Sequence, residues 1–401
     1  MAVYYFFATV AIWFGIQSLI SGFRFASYVR RECARGRSDF LPFASVIVPC
    51  RGLHGGLKEN LATIFNQDYP ACEIVFVTGD EGDPCVRVIE DTRNRYSSRG
   101  IPSRLVLAGM ARDSGQKVHN LRRAVMELDP RSEVLVFVDA DARPSRNWLR
   151  SLVGPLADEK LGATTGYRWF LSAKGGITAQ LLSVWNASIA SALGDRGDKN
   201  FCWGGSTAIR RATFERLAIR DRWRGTVSDD FTVMRVLQEA KLPIKFVPAC
   251  LTASLEDYNF RELLEFTTRQ LQITRVYAPQ FWRAALLGGL LFNSVFFGGL
   301  VLIVVRMIFG LSYTVTLVLV ITMFLLGAAK AYTRWRVVGI PLANYQRELR
   351  KSLLAHLLLW PLGAVLFFYN SLVAAFSRRI RWRGIGYELK SPTEAVIISQ
   401  D

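Results

Sequence analysis

Apolar positions in this chain fall into two kinds of run, and the two kinds are segregated along it. Residues 3–20 form one uncharged apolar stretch rich in Phe, Tyr, Ile and Val, about long enough to cross a bilayer as a helix. From about residue 40 the runs shorten to four or five residues and alternate with segments of helical period. From residue 284 they lengthen again. Stretches 284–305, 311–329 and 353–376 read as spanning helices, the last with Pro361 as a kink.

In the middle region the pattern predicts strands at 44–48, 73–77, 104–107 and 134–138, separated by helices at 57–65, 86–96, 115–128 and 148–156. Strands alternating with helices imply a mostly parallel sheet with right-handed crossovers. The next part is less regular. A strand is expected at 163–170, a helix at 177–193, and a helix running from Asp229-Asp230-Phe231 to Glu239, followed by a strand at 244–247. Between them the double glycine Gly204-Gly205 marks a loop where backbone can approach a ligand closely. Residues 262–277 mix apolar and charged positions and suit a helix lying on a membrane surface.

Charge adds topology. The 401-residue chain carries a formal net charge of +17. Many of its basic residues flank the long apolar runs, which argues against nucleic acid as a partner. Arg24, Arg30, Arg31, Arg35 and Arg37 follow the first run, so the positive-inside rule puts the next domain in the cytoplasm. With no basic segment before that run and no small-residue cleavage site after it, an anchor is expected in place of a cleaved signal peptide. Basic clusters at 334–351 and 378–390 also belong on the cytoplasmic side. One span between them cannot satisfy both, so either 353–376 is re-entrant or one span is misread. The expected division is an anchor (1–23), a basic linker (24–39), a catalytic domain (40–255), an interfacial helix region (256–283), C-terminal spans (284–377) and a cytoplasmic tail (378–401). The six cysteines show no Cys-x-x-Cys spacing, so neither a zinc site nor a disulfide framework is suggested. The three histidines lie far apart, which disfavours a histidine metal site or a serine–histidine triad.

The candidate chemistry gathers where strands end. The apolar strand 134–138 stops on Asp139-Ala140-Asp141. Residues i and i+2 of a strand share a side, and ligands of open α/β sheets bind at the carboxyl edge. Two carboxylates there suit a hard cation plus a diphosphate. They equally suit an acidic turn before the next helix, with Ser145 as its N-cap. Pro49 and Arg51 end the first strand at the same edge, and Asp80 follows the second. Ser228-Asp229-Asp230 opens a helix and reads either as a site carboxylate or as an N-cap. Lys117 opens another helix, where it can hold a phosphate with the help of the dipole or simply face solvent. Gln272 and Arg275 share a helix face.

In order and spacing, Asp80, Asp139-Ala140-Asp141, Asp229-Asp230 and Gln272-Ile-Thr-Arg275 resemble membrane-bound glycosyltransferases of the GT-A fold, and most of all the ceramide glucosyltransferase family (family 21, with relatives in family 2). The segment running from Lys58 through Asn60 and Gln67 to Pro70, the turn Gly79-Asp-Glu-Gly-Asp-Pro84, Lys117-Val-His-Asn120-Leu121 and the tail from Arg381 to Leu389 resemble it too. The resemblance implies an α/β, Rossmann-like GT-A catalytic domain with a mostly parallel sheet, between N-terminal and C-terminal transmembrane helices. It implies that Asp80 meets the uracil of a UDP-sugar. Asp139 would contact the nucleotide and share a divalent metal (Mg²⁺ or Mn²⁺) with Asp141. Asp230 would be the general base, and Gln272 and Arg275 would lie near diphosphate and acceptor. Pro49, Arg51 and Lys117 complete the expected donor-binding set.

The implied activity is inverting transfer of a hexose, glucose by expectation, from a UDP-sugar to a membrane lipid hydroxyl. Ceramide is the expected acceptor. The enzyme would sit in a bacterial inner membrane or in the Golgi or ER, according to the cell, with its catalytic domain cytoplasmic. The chain departs from the family pattern at Val276, where a Trp is expected after Arg275. That leaves the acceptor less fixed and weighs against a chain-extending synthase; another lipid, a polyprenyl phosphate or a polysaccharide stands as the alternative acceptor. A non-catalytic nucleotide-sugar-binding membrane protein is the reading from another class. Loss of an aspartate would favour it, and none is lost.

Overall fold

The computed structural model describes residues 1–172 and 174–400. In chain order its elements are α1 (Ala2–Cys33), β1 (Ala44–Pro49), α2 (Leu57–Phe65), β2 (Cys72–Thr78), α3 (Cys85–Arg95), β3 (Ser103–Leu107), α4 (Gln116–Ala124), β4 (Val134–Phe137), α5 (Trp148–Val153), β5 (Ala163–Leu171), α6 (Ile177–Ala190), β6 (Thr207–Arg210), α7 (Arg211–Arg216), α8 (Ile219–Arg222), α9 (Asp229–Glu239), β7 (Ile244–Leu255), α10 (Phe260–Tyr277), α11 (Pro279–Ile308), α12 (Thr314–Val338), α13 (Gln346–Leu358), α14 (Trp360–Phe376), β8 (Arg379–Trp382), β9 (Ile385–Ser391) and β10 (Glu394–Gln400). They divide into an α/β unit (31–169, 193–254 and 378–401) and a helical unit (1–30, 170–192 and 255–377).

The α/β unit is built on a seven-stranded sheet of order β3-β2-β1-β4-β6-β5-β7. Strands β3, β2, β1 and β4 run parallel, and β6 is antiparallel to both β4 and β5. Strands β1, β2 and β4 are apolar in nearly every position and almost fully buried, as strands covered on both faces must be. One buried charge interrupts them. Glu73, at the start of β2, accepts from Ser45 Oγ at 2.6 Å and from the Asp129 N–H at 2.7 Å, and pairs with Arg104. It lies at the amino end of the strands, away from the carboxyl edge, and acts as a structural anchor.

Residues 170–192 group with the helical unit, where α6 buries Leu182, Val184 and Trp185 together with Gln180, Ser183 and Asn186. Trp185 stacks on Phe367 with ring centroids 4.8 Å apart, in a cluster with Leu182, Leu263, Leu271 and Leu366. The expected tail 378–401 is folded. Strands β8, β9 and β10 form an antiparallel meander that belongs to the α/β unit.

In the helical unit, α1, α11 and α12 are long and apolar enough to cross a membrane. They pack through Ala8, Val295, Phe296, Val320 and Met323, while Val3, Trp13, Phe23 and Ile308 remain exposed. Each helix outruns its apolar stretch, and α1 carries Arg24, Arg30 and Arg31 on its last turns. The segment read as a third C-terminal span is two helices. Helices α13 and α14 meet at 75°, with Pro361 in the first turn of α14, where proline lacks only an N–H that would be unpaired anyway. Helix α10 starts on a capping box, Asn259 with Glu262.

Candidate active site

Strand β4 ends at Phe137, and the chain then turns, with the Ala142 N–H bonded to the Asp139 carbonyl at 3.0 Å. The two aspartates therefore converge through a turn and not by strand alternation. Asn60 of α2 holds that turn, donating to the Ala140 carbonyl at 3.2 Å and accepting from Arg143 Nε at 3.0 Å. Gln67 reaches from the end of the same segment to the Ser145 carbonyl and the Leu149 N–H. The Lys58–Pro70 motif thus fastens the loop that carries the acids. Ser145 does not cap α5; that position belongs to Asn147.

Four carboxylates and two cations meet here. Lys117 Nζ lies 2.7 Å from Asp139 and 3.1 Å from Asp229. Arg168, on β5, places one guanidinium nitrogen 3.3 Å from Asp139 and the other 3.4 Å from Asp141, while its plane lies over Trp203 at 4.8 Å. Asp230 accepts from Ser228 Oγ at 2.5 Å, the Phe231 N–H at 2.8 Å and the Gly204 N–H at 3.3 Å. Ser228 is the N-cap of α9, the capping role expected of this motif. Gly204 lies against the ion pair. A Cβ there would fall 2.5 Å from Asp229 Oδ2 and 2.6 Å from Lys117 Nζ, so its missing side chain makes room for the ion pair.

The electrostatics follow from burial. Burial alone would lower the Lys117 pKa, but Asp139, Asp229 and Asp230 overcome it and hold the ammonium above the ordinary lysine range. Burial pushes the Asp229 carboxyl up to about 7; Lys117 pulls it down, while Asp230 and Asp139 push it further up. Burial also raises Asp141, yet Arg168, Arg383, His54 and Lys117 together draw it below the ordinary carboxylate value. Four carboxylates against Lys117 and Arg168 leave an excess of negative charge. Among the described residues no three His, Cys, Asp or Glu side chains converge as a ready-made metal cage. The fit is to a cation shared with a ligand: Asp141 Oδ1 is buried and without a hydrogen-bond partner. Hard cations such as Mg²⁺ are commonly held by one or two carboxylates plus phosphate oxygens.

Other expected residues fall outside this cluster. Pro49 ends β1, and Arg51 follows in the loop. Asp80 is exposed and accepts from the Gly82 N–H at 3.1 Å; among the described residues no hydrogen bond or ion pair joins it to the Asp139/Asp141 pair. Its neighbour Asp83 takes the Gly52 and Cys85 N–H groups and ties the first two loops together. Gln272 and Arg275 belong to the helical unit. There Gln272 is buried, and Arg275 donates to the Ala374 carbonyl and lies over the Trp282 ring at 5.3 Å. Lys117 is engaged by carboxylates. Arg168, Trp203 and Asp229 were not assigned roles from the sequence. For Arg168 a signal exists: it is the one charge in the apolar run of β5.

A family model described as Glycosyl transferase family 21 matches residues 3–395. Among solved structures, a mannosyltransferase from Pyrobaculum calidifontis, in complex with GDP-Man and Mn²⁺, is 19% identical, with 92% of this chain and 99% of that one covered and a TM-score of 0.49. Glucosyl-3-phosphoglycerate synthase from Mycobacterium tuberculosis, solved with Mn²⁺ and UDP-glucose, is 15% identical over 62% of this chain and 80% of that one, with a TM-score of 0.34.

Proposed function

The chain belongs to glycosyl transferase family 21, and from that premise we propose that it moves a hexose from a UDP-sugar to the hydroxyl of a membrane lipid, with ceramide as acceptor and glucose as sugar. One observation carries the reading: Lys117, Arg168 and four aspartates converge at the carboxyl edge of the sheet, with one buried oxygen of Asp141 left unpaired.

Asp230 is the general base. Three donors fix its carboxylate, and it is partly exposed, so an acceptor hydroxyl can reach it. Taking that proton as the oxygen attacks is worth typically about 10²–10⁴-fold. Attack from the face opposite the leaving group inverts the anomeric carbon. Asp139 and Asp141 are the residues that would hold a divalent cation, which supplies Lewis-acid stabilisation of a departing diphosphate. Lys117 keeps Asp139 and Asp229 in place, and Arg168 adds a guanidinium toward the same oxygens. Asp80, Pro49 and Arg51 serve to bind the nucleotide.

A topology accompanies this reading. Residues 31–169 and 378–401 share one compact unit, so the chain between them crosses the membrane an even number of times. Helices α11 and α12 account for two crossings. The bent pair α13–α14 then enters and leaves on one face, and all three basic clusters lie in the cytoplasm with the α/β unit.

The same chemistry on another lipid, a polyprenyl phosphate or a polysaccharide is the second reading; Val276 in place of the expected Trp leaves the acceptor open, while it weighs against a chain-extending synthase. The discriminating experiment incubates membranes containing the full chain with labelled UDP-sugars and identifies the product by mass spectrometry. A hexosylceramide supports the first reading. A glycosylated polyprenyl phosphate or a polymer supports the second, and no product from any donor removes both.

A further inference from the structure

The C-terminal meander brings one more cation to this site. Strands β8 and β9 are joined by Arg383-Gly384, with Trp382 paired to Ile385 across the turn. Both turn residues have positive φ, 50° and 79°, as the tight two-residue hairpin of right-handed twist requires. Asn-Gly is the sequence that turn prefers; a long side chain at the first position is unfavourable for the backbone. Arg383 is therefore not explained by the turn that holds it. It is exposed and makes no ion pair among the described residues, yet its charge is felt by both Asp141 and His54.

The meander is also fastened to the elements that carry the site. Tyr387 of β9 is buried, and its hydroxyl accepts from the Gln116 N–H at 3.1 Å, one residue before Lys117. The turn after β9 presses on the loop before Asp229: a Cβ on Gly225 would fall 2.3 Å from the Thr393 carbonyl oxygen. That loop in turn bonds to the start of α4, Gly115 N–H to the Thr226 carbonyl at 2.8 Å. The meander is thus held by two anchors against the elements that present Lys117 and Asp229.

We propose that Arg383 is a donor-binding residue contributed by the C-terminal tail, its guanidinium taking oxygens of the nucleotide diphosphate. A diphosphate carrying a cation would suit both groups, since a guanidinium takes phosphate oxygens and Asp141 would hold the cation. The inference rests on the nucleotide-sugar reading and adds a binding group from a part of the chain that follows the last helix.

The test uses the full chain in detergent and measures binding of UDP and of UMP in the presence of Mn²⁺ by calorimetry. Arg383→Asn is the informative variant, since Asn-Gly keeps the turn while removing the guanidinium. The expected result is about a tenfold loss of UDP affinity, a change in UMP affinity under about twofold, and a melting temperature equal to or above wild type; Arg383→Lys should recover part of the loss. Unchanged UDP affinity in Arg383→Asn would overturn the proposal alone. So would equal losses for UDP and UMP, which would make the tail a scaffold and not a diphosphate ligand. Wild-type protein that binds neither UDP nor GDP would instead remove the donor reading, and this inference with it.

Discussion

Lys117 and Asp229 form a buried ion pair at 3.1 Å, and the same ammonium lies 2.7 Å from Asp139. One cation thereby joins the loop after β4 to the start of α9, two elements about ninety residues apart in sequence. Removing one partner of such a pair leaves a buried charge uncompensated, at a cost of roughly 3–5 kcal/mol. Lys117→Met should therefore lower the melting temperature sharply. Adding Asp229→Asn to Lys117→Met should recover part of the loss, because only Asp139 is then left facing the missing ammonium. Additive losses in the double variant would show that the two residues are not coupled.

Gly204 is needed for that pair, since any Cβ collides with both partners. Gly204→Ala should cost activity by more than about tenfold and lower thermal stability, in line with overpacking costs of roughly 1–3 kcal/mol. Gly288 in α11 has nothing within 4 Å of a built Cβ, and Gly288→Ala should be neutral or stabilising by up to about 1 kcal/mol. Equal effects at the two positions would contradict the packing argument.

The proton held by Asp229 sets a pH dependence. Its carboxyl is raised to about 7, chiefly by burial, whereas in the unfolded chain it ionises near 4. The folded state therefore binds more protons than the unfolded one between about pH 4 and 7, and stability from this group falls as pH rises through that window. Wild-type melting temperature should drop more between pH 5 and pH 8 than that of Asp229→Asn. A pH slope unaltered by the substitution would exclude Asp229 as its source.

Asp230→Asn keeps the shape of the carboxyl and removes its basicity. Transfer should fall by at least about 10²-fold, while UDP-sugar binding, followed by calorimetry, should stay within a few fold of wild type. Wild-type turnover in this variant would end the general-base assignment.

Asp141 offers the unpaired buried oxygen. EDTA should stop transfer, and Mn²⁺ or Mg²⁺ should restore it. Asp141→Ala should weaken UDP binding in the presence of metal much more than in its absence. Full activity in EDTA would exclude a divalent cation from the reaction.

Much of this site was visible in the residue order alone. Asp139, Asp141, Asp229 and Asp230 stand at strand ends and a helix start, and those are local features set by apolar period and by capping chemistry. The parallel half of the sheet and the long apolar helices were legible for the same reason, since burial on both faces or in lipid demands continuous apolar runs. What residue order could not supply is pairing at long range. Arg168 meets Asp139 and Asp141 only because β5 and β4 both pair with β6, and Lys117 meets Asp229 only because α4 and α9 start at one edge. Gly204 makes room for an ion pair between residues far from it in sequence. The bend of 75° between α13 and α14 and the return of the tail to the α/β unit depend on which faces find partners. Local sequence dictates an element's type, and packing between distant elements decides which charges share a site.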